Sequence, residues 1–171
     1  MKNTYKVIIT VLSIVFAAVA VVSINVYKTG QQKKLAEEQI VLNKGMNLYG
    51  QGQYEEALQT LQSVADTTRN WQIQYYKGAT SVRLKDYPAA ATYLEQANHL
   101  NTSNTQTLYL LGVVYFKLGN LKLSEAYFAA TLELDPTHEE AKGLMEVMSE
   151  LQKLQGQPAE TPQEPGKTDK L

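Results

Sequence analysis

Apolar residues fall along this chain in three regimes. From Val7 to Tyr27 (VIITVLSIVFAAVAVVSINVY) no charged side chain interrupts them. From about Lys33 to Gln155 they recur three and four positions apart, as on one face of a helix. From Gly156 onward they almost vanish among Pro, Glu and Lys. The first regime predicts a helix that, at ~1.5 Å per residue, crosses a hydrocarbon layer of ~30 Å. The second predicts amphipathic helices separated by stops at Gly50-Gln51-Gly52, Lys85-Asp86, Gly119-Asn120 and Asp135-Pro136. The third predicts a disordered tail, 156–171.

The second regime repeats. Gly45, Gly78 and Gly112 are spaced 33 and 34 residues apart, each early in an apolar helix. A small residue follows in the next helix (Ala57, Ala90, Ser124), then a large one (Leu61, Leu94, Phe128), then Val64, Ala97 and Thr131. Asn70 and Asn104 stand one residue before first helices, and Gln53, Asp86 and Asn120 just before second helices. Asn and Asp are strong N-caps there and Gln is a poor one. Pro88 falls in a first turn, where its missing N–H costs nothing. A helix–turn–helix unit of this period resembles the tetratricopeptide repeat (TPR) family. The match covers about Glu38 to His138 in three copies (38–70, 71–104 and 105–138). It departs at Trp71, three residues before the family's Trp position, and at Leu121, Ser124 and Thr131, expected to weaken the third repeat locally. The amphipathic stretch 139–155 is expected to be the solvating helix that closes the array. The fold class expected is all-α: three antiparallel hairpins and a capping helix in a short right-handed superhelix, preceded by one N-terminal transmembrane helix.

That anchor (7–27) follows a short basic tail (1–6) and leads through a collar (28–37, including KTGQQKK) into a first repeat helix starting near Lys33. Ala18-Val19-Ala20 is formally a signal-peptidase sequence, but the apolar run continues past it, so an uncleaved anchor is expected. Lys2 and Lys6 on one side nearly balance Lys28, Lys33 and Lys34 on the other. The short basic tail favours a cytosolic N-terminus. The repeats are then outside the cell membrane, in the periplasm or on the cell surface if the source is bacterial.

Composition narrows the function. A net charge of −1 lacks the basic footprint of a nucleic-acid binder. The absence of cysteine removes thiolate metal sites and disulfides. His99 and His138 have no ligand spacing around them, and no nucleophile motif is present. No enzyme activity, cofactor, metal or small-molecule substrate is expected.

Resemblance to the TPR family implies instead a peptide groove lined by first helices. Its positions here are Gln39, Leu42, Met46 and Tyr49, then Gln72, Tyr75, Ala79, Val82 and Arg83, then Gln106, Tyr109, Val113, Phe116 and Lys117. Leu42, Met46, Tyr75 and Ala79 replace the polar residues with which some family members grip a C-terminal carboxylate, so that mode is not expected. The sequence expectation is a membrane-tethered interaction module whose groove takes an apolar or aromatic segment of another protein, with acidic residues tolerated near Arg83 and Lys117. The alternative is a structural subunit of a secretion, pilus or cytochrome-maturation assembly that binds no free peptide.

Overall fold

A computed structural model describes residues 2–156, including the side chains of 15–151 and 153. Seven helices and no strand occur among the described residues: α1 Lys2–Gly50, α2 Tyr54–Gln62, α3 Trp71–Arg83, α4 Tyr87–Leu100, α5 Thr105–Lys117, α6 Leu121–Leu134 and α7 Glu139–Gly156. The expected tail lies outside the described residues, apart from Gly156, which ends α7.

The stops and caps act as the residues dictate. Asn70 and Asn104 accept from the amides of Gln72 and Thr107, and Asp86 and Asn120 from those of Ala89 and Leu123. Gln53 makes no side-chain cap. The three turns within the hairpins (α1–α2, α3–α4 and α5–α6) each hold one left-handed residue: Gly52 (φ 76°), Lys85 (φ 63°) and Gly119 (φ 76°). Lys85 therefore carries a Cβ where its two counterparts avoid one.

Helices pair as α1–α2, α3–α4 and α5–α6, and each pair stacks on the next, with α7 on α6. The small residue early in each odd helix sets how closely a hairpin closes. A Cβ at Gly45 would lie 2.5 Å from the Leu61 side chain, at Gly78 2.6 Å from Leu94, and at Gly112 2.5 Å from Phe128. The odd helices α1, α3 and α5 also approach one another in succession, whereas α2 and α4 meet through the Gln62 amide, which donates to the Tyr93 hydroxyl at 3.3 Å. The odd helices thus form the inner, concave layer and the even ones splay on the outside. Ser124, expected to weaken the third repeat, donates its hydroxyl to the Gly112 carbonyl at 2.8 Å across the hairpin. Thr131 likewise donates to the Tyr127 carbonyl at 2.8 Å.

The N-terminal expectation is corrected in one respect. Anchor, collar and first repeat helix are not separate elements: α1 is a single helix of 49 residues. The collar has no Pro, and its one Gly30 costs about 1 kcal/mol relative to Ala, too little to break a helix supported on both sides. Pairs one turn apart support it: Gln31 donates to the Tyr27 hydroxyl at 2.7 Å, and Lys33–Glu37 and Lys34–Glu38 approach to 3.9 Å. Among the described residues no helix is long and apolar enough to cross a membrane. The side chains of residues 7–14, the first part of the expected Val7–Tyr27 span, lie outside the described residues.

Candidate functional site

The structure sorts the expected groove residues into three groups. Gln39, Met46, Gln72, Arg83, Gln106 and Lys117 are exposed, and Tyr49, Tyr75, Val82, Tyr109, Val113 and Phe116 are half-buried. Leu42 and Ala79 are core instead, at 1% and 3% exposure. Leu42 packs on Leu61 and Ile73. The reason is the inner layer itself: where odd helices touch, a side chain turned toward the next helix is consumed by that contact.

Repeat three departs further from expectation. Tyr109, Val113 and Phe116 pack against Phe128, Ala141 and Met148, together with Leu144 and Met145 of α7. Tyr109 also lies over the His138 ring, with centroids 4.6 Å apart. These residues seat the closing helix rather than form an open floor. Arg83 is engaged too, its guanidinium 5.0 Å from the Tyr54 ring centre, a cation–π contact. Lys117 remains exposed. Tyr75 and Tyr109, both expected in the groove, contact different rings: Tyr75 those of Trp71 and Tyr76, Tyr109 those of Phe128 and His138.

Around Tyr75 the structure assembles a row of five aromatic rings. Tyr54, Tyr49, Tyr76, Tyr75 and Trp71 meet edge-on in that order, with centroids 5.5, 5.8, 5.1 and 6.4 Å apart. Each such contact contributes about 0.5–1.5 kcal/mol beyond area burial. The row crosses from α2 through α1 to the start of α3. Burial, then the neighbouring Tyr49 and Tyr76 hydroxyls, push the Tyr75 phenol up to about 12, so it stays a neutral donor at physiological pH. At the α3 end an open trough of about 340 Å³ lies between the first turns of α3 and α5, lined by Trp71, Gln72, Tyr75, Tyr76, Asn104 and Gln106. Three of the six are expected groove residues. Trp71, Tyr76 and Asn104 are not, although Trp71 stands one helical turn before Tyr75 and so shares its face.

A polar truss behind this surface holds the 63–70 loop. Lys77 is fully buried and donates to the Asp66 carboxylate at 2.7 Å and the Val64 carbonyl at 2.9 Å. The Gln74 amide donates to the Asp66 carbonyl at 3.0 Å, and the Thr68 hydroxyl to buried Glu38 at 2.8 Å. These bonds tie the loop to α1 and α3 and fix where Trp71 begins its helix.

Of the two histidines, His99 is exposed near the end of α4, and His138 caps α7 by accepting the Ala141 amide at its Nδ1, 3.3 Å. Among the described residues no cluster of three or more acidic or histidine side chains could hold a metal ion. The trough presents amide donors and acceptors above aromatic faces, an arrangement suited to a segment of polypeptide.

Comparison with known proteins agrees with this architecture. Two tetratricopeptide repeat families match, one over residues 42–104 and the other over 82–147. No curated protein matches by sequence. Among solved structures the chain is similar to the first TPR of Spaghetti (RPAP3) bound to an HSP90 peptide. That match has TM-score 0.65 and 24% identity, and spans 68% of this chain and 94% of that one. It is also similar to MamA, with TM-score 0.66 and 21% identity over 69% of this chain and 70% of that one. The Yersinia enterocolitica type III secretion translocator chaperone SycD matches with TM-score 0.57 and 19% identity, over 71% and 96%. At these identities the likeness establishes the fold. With the 33- and 34-residue spacing, the three capped hairpins and the two family matches together, this chain belongs to the tetratricopeptide repeat family.

Proposed function

We propose that the chain is a membrane-tethered protein-interaction module that recruits or scaffolds a partner through its concave face, and that it is not an enzyme. The observation carrying the binding half is the trough at Trp71, Gln72, Tyr75 and Gln106, where polar-tipped aromatics lie open beside exposed amides. Neither the odd-helix contacts nor α7 consume this part of the concave face. TPR proteins of this fold bind peptides, an HSP90 peptide in the structure above and an HSP70 peptide on the second TPR domain of human RPAP3. The partner segment here offers an apolar or aromatic side chain to Tyr75 and backbone groups to Gln72 and Gln106. Gln72→Arg with Gln106→Arg puts two long cations across the trough mouth without touching the core. This pair is expected to weaken partner capture at least about tenfold, roughly 1.4 kcal/mol. The helical circular dichroism should stay unchanged. Undiminished capture by the double variant would remove the groove from the account.

The tether half rests on the uncharged Val7–Tyr27 run and on the continuity of α1 into the first repeat. In this reading the repeats lie outside the cytosol, rigidly held at the membrane. From Tyr27 to Glu38, where α1 first meets the loop, the helix stands off by about 16 Å at ~1.5 Å per residue. Tethering raises the effective concentration of membrane-bound partners, so a shallow trough suffices. Full-length protein is expected to stay in the membrane pellet after carbonate washing, whereas release into the supernatant would contradict the anchor.

The structural-subunit reading also has one observation in its favour: Ile40 stands 68% exposed on α1. A subunit that buries this helix face in an assembly should self-associate when purified alone. A peptide receptor should run as a monomer in its detergent micelle.

A further inference from the structure

A further cavity lies outside the concave trough. About 610 Å³ lies between the overhanging stretch of α1 and the junction of the α2–α3 loop with α3, lined by Tyr27, Gln31, Lys34, Leu35, Glu38, Thr67, Arg69, Asn70, Trp71 and Gln72. The five α1 residues fall on one helical face, spaced four, three, one and three apart. The cleft exists because α1 continues beyond the level at which α3 starts. Glu38 is tied to Thr68 there, and the other four lining residues of α1 precede it.

Its walls are fixed. The loop side is held by the Thr68–Glu38 bond and by Lys77 on Asp66, and the Tyr27 ring is tethered through the Gln31 amide. Its floor is apolar and uncovered, with Leu35 64% exposed beside the half-buried Trp71 indole. Its lining holds two cations against one carboxylate. That carboxylate, Glu38, is buried at 6% exposure, accepts from Thr68 and lies 3.9 Å from the Lys34 ammonium, while the Lys34 and Arg69 side chains are exposed. Among the described residues Arg69 makes no ion pair.

We infer that this cleft is a second recognition site, distinct from the trough, for an acidic peptide segment bearing one apolar side chain. The apolar side chain lies between Leu35 and Trp71, and the flanking carboxylates meet Arg69 and Lys34, Arg69 taking one in a two-pronged hydrogen bond. Asn70 and Gln72 at the rim serve the peptide backbone. Two sites sharing Trp71 and Gln72 as their common wall let one partner chain run from the cleft into the trough.

Trp71 is the single tryptophan of the chain, so its fluorescence reports the site directly. Full-length protein in detergent micelles is titrated with a short synthetic peptide of Glu and Gly around one Leu-Phe pair, and with the same peptide carrying Lys for Glu. The acidic peptide is expected to shift Trp71 emission saturably, and the Lys peptide to leave it unchanged. Lys34→Glu with Arg69→Glu should weaken the acidic peptide at least about tenfold, while Gln106→Arg in the trough should not. Leu35→Ser should weaken it with the charges intact. The inference is overturned if the emission does not move, or if the charge-reversed variant binds as well as the wild type. It is equally overturned if Gln106→Arg causes the loss. That last result would place the peptide in the trough and support the groove reading instead, so the two fail separately.

Discussion

Phe128→Ala is expected to remove about 3–5 kcal/mol of stability, the largest loss available at a single position of the repeats. Phe128 is fully buried, fills the space that Gly112 leaves open, and is the centre on which Tyr109, Ala141 and Met148 converge. Its removal therefore opens a cavity at two joints, the α5–α6 hairpin and the seat of α7. Stability in such an array is a sum of repeat and neighbour terms, so the damage should start at the C-terminal end. Urea unfolding of the variant should lose helical signal before Trp71 fluorescence changes, since Trp71 reports the second repeat. The wild type should lose both together. A loss under about 1 kcal/mol, or coincident transitions in the variant, would show that the third repeat is not built as described.

Asp66→Ala is the second large effect, expected to cost about 1–3 kcal/mol. Breaking one partner out of a fully buried pair costs roughly 3–5 kcal/mol because the other charge is stranded. Here the Lys77 ammonium is at 0% side-chain exposure but the Asp66 side chain is 62% exposed, so solvent screens part of the attraction. The Val64 carbonyl also continues to accept from Lys77. The decisive comparison is the double variant with Lys77→Met, which removes the stranded charge while keeping a side chain of similar length. It should be more stable than Asp66→Ala alone. Simple additivity of the two substitutions, measured by urea midpoint, would mean that the pair does not act as a unit.

The register of the array was legible in the sequence because backbone requirements are local. The close approach at Gly45, Gly78 and Gly112, the caps at Asn70, Asp86, Asn104 and Asn120, and the turns at Gly52 and Gly119 each need a particular residue type. The candidate site was half legible. Gln72, Tyr75 and Gln106 line the trough as their positions implied. Leu42 and Ala79 went to the core, and Tyr109, Val113 and Phe116 to the seat of α7. Helical periodicity names the face a residue occupies, not how much of that face a neighbouring helix covers. Lys77 was illegible for a related reason. A lysine in an amphipathic helix reads as solvent-facing, and nothing nearby in sequence announces that an aspartate eleven residues earlier will meet it inside. Trp71 was set aside as a departure from the family's pattern, yet the structure places it in the wall shared by trough and cleft. The cleft itself depends on α1 running unbroken through the collar, which local helix signals around Gly30 do not decide.

The central claim is that a partner protein docks on the concave layer. Its most direct measurement places a photo-crosslinking phenylalanine analogue at Gln106 in the trough, or at exposed Glu125 on the outer helix α6, in the full-length chain within its native membrane. The account predicts one discrete adduct from Gln106 and none from Glu125, with the Gln106 adduct lost when Gln72→Arg is added. Equal adducts from both positions, or an adduct from Glu125 alone, would contradict it.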